Sequence, residues 1–290
     1  MHNQHPTSLS DVSLIELWNP FYLLITIAVI GIYLFYTKNG PWKGSVTRGQ
    51  KIWFIIGVTG FYIAKGTPLS VIGHHYSFSA HMLQMSLLYF IVPPLLLIGL
   101  PKVFFRKILG IRIIGRVFRF FTKPLIALLS FNLLISFYHL PVVFDTVMSH
   151  GLLHETVHFI LLSSSFFMWW PVIGPLPESD SLSDLQKVGY IFADGVLLTP
   201  ACALIIFADD LIYQTYMHAP QVFAFLQPLD DQQAGGVIMK IAQEIIYGGI
   251  LLYILIRWVR KERAQDKEDE LKIMQEAKAN AKAKLSLNEQ

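Results

Sequence analysis

Cysteine is almost missing from this 290-residue chain: Cys202 stands alone, which excludes an internal disulfide framework and a Cys-x-x-Cys metal clip. If a metal is bound, other ligands must dominate. Charge is scarce as well, at 15% of residues against 53% hydrophobic and 13% aromatic, more apolar surface than one water-soluble core can hide. Residues 1–17 contain no Lys or Arg, so they lack the basic leader of a cleavable secretory signal, and the first apolar run is expected to stay as a span. No glycine-rich phosphate loop and no nucleophile beside a base stands out, which turns the reading away from nucleotide chemistry and hydrolysis.

What is present arrives in blocks. Seven apolar runs approach the length an α-helix needs to cross about 30 Å of hydrocarbon: Phe21–Tyr36, Ile52–Gly66, Phe78–Leu100, Pro124–Tyr138, His150–Trp170, Val188–Phe207 and Val237–Trp258. The second and fourth are the weakest. The few charges are sorted by loop: 1–17, 67–77, 139–149 and 208–236 have no Lys or Arg, whereas 37–51 has four, 101–123 has seven and the tail from Arg257 has nine. The positive-inside rule then sets the amino terminus outside, the carboxyl terminus in the cytoplasm and an odd number of spans. The formal charge of +3 therefore reports topology and not a nucleic-acid partner.

The fold class that follows is all-α, a polytopic membrane bundle of about seven transmembrane helices. Residues 1–17 form an extracytoplasmic segment, 18–258 the membrane domain, and 259–290 a charged cytoplasmic tail that reads as a solvated helix, frayed or partly disordered. Within the domain, 101–123 alternates Phe, Ile and Leu with Lys and Arg and reads as an interfacial helix on the inner leaflet. Pro93-Pro94 and Pro200 remove backbone donors inside spans and are expected to kink them. Trp169-Trp170 is expected at the inner headgroup boundary.

This topology places all ten histidines on the outer side or in the outer halves of spans. On an α-helix His150, His154 and His158 stay near one face while descending roughly 12 Å. His81 and Met85 share the same spacing, with Met82 beside them, and imidazole with thioether favours copper. A lone interfacial histidine is ordinarily a hydrogen-bonded polar residue, but several at one depth each cost free energy unless paired or useful. Glu155 lies beside His154 and can orient it. Cys202 is near enough in depth to add a soft ligand, although packing is its simpler role. Lys240 and Glu244 are expected to form a structural ion pair.

The motifs HMLQM (His81–Met85), PPLLLIGLP (Pro93–Pro101), YHLP (Tyr138–Pro141), HETVH (His154–His158), WWPVIGP (Trp169–Pro175), PACALIIF (Pro200–Phe207) and DQQAGGVIM (Asp231–Met239) occur in an order that resembles the integral-membrane CtaG-type assembly factors of cytochrome c oxidase. These are distinct from the single-span copper carriers that share the name. The resemblance covers about residues 18–258. It implies a seven-span accessory protein that matures a haem–copper oxidase, handling copper at the outer face, with oxidase subunits and the bilayer of the cell membrane as partners. By motif match it implies His81, His139, His154 and His158 as functional histidines, with Asp231 and Gln232 before the last span. Met85 stands where the family often has a second histidine.

The metal set under this reading is His81, Met85, His139, His154 and His158, with Glu155, His150, Asp231, Gln232 and Cys202 as supporting or additional groups. Two other chemistries compete. Histidines on neighbouring helices can supply axial ligands to a haem in a membrane oxidoreductase. HETVH is also formally the HExxH pattern of zinc proteases, with Glu155 at the general-base position. A retinal pump is disfavoured, because Lys65 and Lys240 lie near span ends and not mid-membrane.

Overall fold

In a computed structural model, residues 9, 12–179, 181–222 and 226–288 are described. Among them the chain is helical with no strand. The helices that matter here are α1 (Pro20–Lys38), α2 (Arg48–Gly66), α3 (Pro68–His75), α4 (Phe78–Gly99), α5 (Lys102–Leu109), α6 (Arg112–Phe121), α7 (Pro124–Tyr138), α8 (Pro141–Met148), α9 (Gly151–Ile173), α10 (Asp184–Ile206) and α11 (Pro228–Asn288).

Five helices are long and apolar enough to cross a membrane, and up to seven if two bent pairs each count as one. The five include α1, α4, α9, α10 and α11. The bent pairs are α2 with α3, at 44°, and α6 with α7, at 78°. Both bends fall at an X-Pro step, Thr67-Pro68 and Lys123-Pro124, where the residue before proline is pushed out of the helical region. The two weakest runs of the sequence are thus the two whose helices are broken.

Large apolar side chains point outward, as on α1 at Phe21, Leu24, Ile27 and Phe35, which is the surface a helix presents to lipid. The described bundle is a multi-pass membrane protein. Its interior holds buried polar groups that find partners: Asp194 accepts from Asn132 Nδ2 and, at 2.5 Å, from Tyr247 Oη. The anticipated Lys240–Glu244 pair forms at 2.7 Å.

Helix α4 carries the clearest sequence-to-structure link. Pro93 has no N–H to offer the carbonyl four residues back, that of Tyr89, and the stretch Leu87–Ile91 widens into a π-turn. Helix α9 supplies the missing donors: Ser165 Oγ at 2.5 Å and Trp169 Nε1 at 2.9 Å both reach Tyr89 O. The tryptophan pair therefore faces the protein interior and not lipid. Trp169 and Trp170 are buried, and Trp170 packs edge-on against Phe105 of α5 and Phe118 of α6. For Trp169 the buried indole N–H has its acceptor in Tyr89 O.

The segment 101–123 forms two helices, α5 and α6, where one was anticipated. Gly110 closes α5 and Ile111 is extended. Exposed Ile113, Val117 and Phe120 share α6 with Arg112, Arg116 and Arg119, the composition of a helix lying in an interface. Arg106 of α5 binds Glu178 at 2.7 Å, and this hydrogen bond holds the Glu178 carboxyl down at about 2. A depressed acid loses its partner only as pH falls through that value, so this link persists through neutral and mildly acidic conditions. Helix α9 ends at Gly174, whose positive φ of 53° is the left-handed stop that glycine takes without strain. Beyond the last span α11 continues as one helix to Asn288, so the anticipated tail is a helical extension of the span.

Candidate functional site

The histidines gather at one end of the bundle, and by the course of the chain the basic helices α5 and α6 lie at the other. His81 is on the first turn of α4, His139 caps the end of α7, and His154 and His158 are on the first two turns of α9. All four are buried. The His154 and His158 rings are 4.2 Å apart between centroids, and His81 is 5.7 Å from His158 and 6.4 Å from His154.

Two tyrosines hold these rings. Tyr138 Oη is hydrogen-bonded to His81 Nε2 at 3.0 Å and to His158 Nε2 at 3.3 Å, and Tyr89 Oη to His158 Nδ1 at 2.7 Å. The π-turn that follows from Pro93 thus ends in a phenol aimed at a site histidine. Tyr89 stands in no motif, and Tyr138 opens YHLP without a role of its own, because a phenol in an apolar run looks like any interfacial aromatic.

His139 faces elsewhere: its Nδ1 donates to Ile135 O at 2.7 Å, and its Nε2 lies 3.4 Å from Met82 Sδ. The thioether that meets an imidazole is therefore that of Met82. Met85 is one turn deeper on α4 and completely buried. His150 departs from the anticipated stripe, since α9 begins only at Gly151 and His150 is extended before it. The 3.6-residue period has no hold on a residue outside the helix. His150 is exposed, with Nδ1 at 2.9 Å from Ser149 Oγ and 3.0 Å from Thr146 O.

Glu155 stands where it can orient His154, with Oε1 3.5 Å from His154 Nδ1. Its firmest partner is Lys65 of α2, whose Nζ donates to both oxygens at 2.8 and 2.9 Å. Asp231 and Gln232 act at a distance from the imidazoles. Asp231 accepts from Phe78 N at 2.6 Å, Ser77 Oγ at 2.9 Å and Ser79 Oγ at 2.5 Å, so α11 caps the helix that carries His81. Gln232 accepts from Ile212 N at 2.9 Å and donates to Asp210 O at 3.2 Å, pinning the loop before α11. Cys202 is buried in the main core on α10. His218 is exposed, and His2 and His5 lie outside the described residues.

That loop covers the cluster. Tyr213 Oη donates to His139 O at 2.8 Å and Tyr216 Oη to Gly73 O at 2.5 Å. Beneath it α3 presses on α4: a Cβ on Gly73 would lie 2.9 Å from both His81 N and His81 Cα. Gly73→Ala is expected to drive the two backbones apart at His81 and to destabilise the protein by about 1–3 kcal/mol. A thermal unfolding curve in detergent that superposes on wild type would contradict this close approach.

Ring nitrogens in this region that are buried and have no hydrogen-bond partner include His74 Nδ1, His81 Nδ1 and His154 Nε2. Such atoms are uncommon, because a buried polar group left without a partner costs about 1–3 kcal/mol. Imidazole nitrogens with free lone pairs suit a soft cation. Among the described residues, however, no three His, Cys, Asp or Glu side chains are arranged around a common point as ligands of one ion. The donor set fits an ion held by few ligands and does not form a closed cage.

No curated protein matches the chain. No solved structure matches it either. The family model of the cytochrome c oxidase caa3 assembly factors (Caa3_CtaG) matches residues 22–261, from the first turn of α1 into α11, and the chain belongs to that family.

Proposed function

We propose that this assembly factor receives copper at the extracytoplasmic face of the plasma membrane and passes it to an oxidase subunit in the same bilayer. The observation that carries the reading is the set of partnerless imidazole nitrogens on His81 and His154, buried beside His158. His139 and Met82 extend the soft-donor surface on the far side of Tyr138. Cargo that must be released suits a site with few, exchangeable ligands drawn from different helices. Tyr138 holds Nε2 of His81 and Glu155 lies by Nδ1 of His154, so that one nitrogen of each of these rings is engaged and another is left for the ion, while Tyr89 and Tyr138 together engage both nitrogens of His158.

The orientation rests on charge. Lys and Arg in 37–51, 101–123 and the tail belong to the end of the bundle opposite the histidines, which supports a cytoplasmic position for that end and an outer one for the amino terminus. Zinc proteolysis through HETVH is less well supported, since a general base needs a free carboxylate and both Glu155 oxygens accept from Lys65.

The test is metal analysis of the purified protein with Cu(I) and Zn(II) in competition, comparing wild type with a His81→Ala, His154→Ala, His158→Ala triple variant. Wild type is expected to hold Cu(I) and the triple variant to lose it, and a strain deleted for the protein is expected to lack mature oxidase. Equal copper content in the two proteins would refute the site. Normal oxidase in the deletion strain would remove copper delivery.

A further inference from the structure

A cavity of about 510 Å³ opens beside the histidine cluster, lined among others by Lys65, Ser70, His74, His154 and Glu155. His74, at the end of α3, belongs to none of the sequence motifs. Its ring stands edge-on to His154 with centroids 4.7 Å apart. Both residues line the cavity, and both hold a buried nitrogen without a partner, Nδ1 on His74 and Nε2 on His154. On His154 the tautomer follows from its neighbour: Glu155 Oε1 lies on the Nδ1 side, which in a neutral ring puts the proton on Nδ1 and the lone pair on Nε2.

The charge around this pair bears on what can bind. Lys65 spans both oxygens of Glu155, so the carboxylate closest to the two imidazoles is already neutralised. The pair carries no net negative charge, so nothing there offsets the larger desolvation cost of a divalent ion. Two neutral imidazoles beside a neutralised carboxylate therefore select a soft monovalent cation. Cu(I), with its filled d shell, is satisfied by two nitrogen donors, and its binding to free lone pairs displaces no proton and changes no oxidation state.

We propose that His74 and His154 form a receiving site for Cu(I) at the cavity wall, occupied before the ion reaches His81. The inference rests on the copper-handling reading above and adds to it a residue and a route. The rings with a partnerless nitrogen form a path inward: His74 to His154 at 4.7 Å and His154 to His81 at 6.4 Å between centroids. Two-donor stations along such a path match the absence, among the described residues, of a three-ligand cluster.

The experiment is stopped-flow uptake of Cu(I) from a weak chelate by the full chain in detergent, alongside equilibrium competition, with Ag(I) as a redox-inert check. His74→Phe is expected to slow uptake on the order of tenfold or more while the equilibrium affinity set by the deeper histidines stays within a few-fold, and His74→Cys is expected to restore the rate. Uptake by His74→Phe at the wild-type rate, or failure of His74→Cys to restore it, would overturn the receiving site and leave the copper reading standing. A wild-type protein that binds no Cu(I) would overturn both. Carbethoxylation of His74 in the unaltered protein, followed by mass spectrometry, needs no variant: Ag(I) or Cu(I) is expected to protect it, and equal labelling with and without the ion would also end the proposal.

Discussion

Asp231→Ala is expected to lower stability by about 3 kcal/mol and to weaken copper binding with it, although Asp231 touches no histidine. The carboxylate receives the Phe78 and Ser79 backbone N–H groups and the hydroxyls of Ser77 and Ser79, all at the amino end of α4. Alanine there leaves helix-terminal donors buried against apolar neighbours, and hydrogen bonds to a charged acceptor are the stronger kind. Part of the loss is recovered because Ser77 and Ser79 already lie 3.0 Å apart and can pair with each other. Asp231→Asn keeps one acceptor oxygen and is expected to lose about half as much. Thermal unfolding in detergent and Cu(I) competition, measured on the same preparations, separate this role from ligation. A ligand would lower affinity with the unfolding midpoint unmoved, and that outcome would sink the capping account.

The same residue shows what was legible in the sequence and what was not. Family resemblance singled out Asp231, but its physical task, joining α11 to α4, needs the two helix ends side by side, and no local pattern encodes that. The spans themselves were legible because apolar length is a property of a single segment. Even the weakness of Ile52–Gly66 and Pro124–Tyr138 had structural meaning, since these are the helices bent at proline steps. The helical offset correctly put His154 and His158 on one face and failed for His150, where the helix has not yet begun. Equal spacing drew attention to Met85, but Met82 faces His139, because the partner on α7 and not the period of α4 decides which sulfur is met. His74 read as part of an outer loop's approach; only the fold of Pro68–His75 back against α4 and α9 brings it beside His154. Lys65 carried no sign of its partner, ninety residues away on another helix.

Lys65→Met is expected to turn the histidine end toward divalent ions, raising the affinity for Zn(II) relative to Cu(I) on the order of tenfold. The Lys65 side chain is only 9% exposed, so salt screens it less than a surface charge. Several ångströms away, at an effective dielectric near 20, a unit charge repels a monovalent ion by roughly 2 kcal/mol and a divalent one by about twice that. Removing it helps both ions, and the divalent one more. It also frees the Glu155 carboxylate, a hard ligand that zinc accepts more readily than cuprous copper does. A purely structural effect has a different signature: loss of the Lys65 anchor would let His154 drift and lower both affinities together. The double variant Lys65→Met with Glu155→Gln decides between them, because it restores neutrality without restoring the anchor. If the charge argument holds, the double variant returns toward wild-type selectivity. A selectivity ratio unchanged in the single variant, or unchanged between single and double, would show that the Lys65–Glu155 pair does not choose the ion.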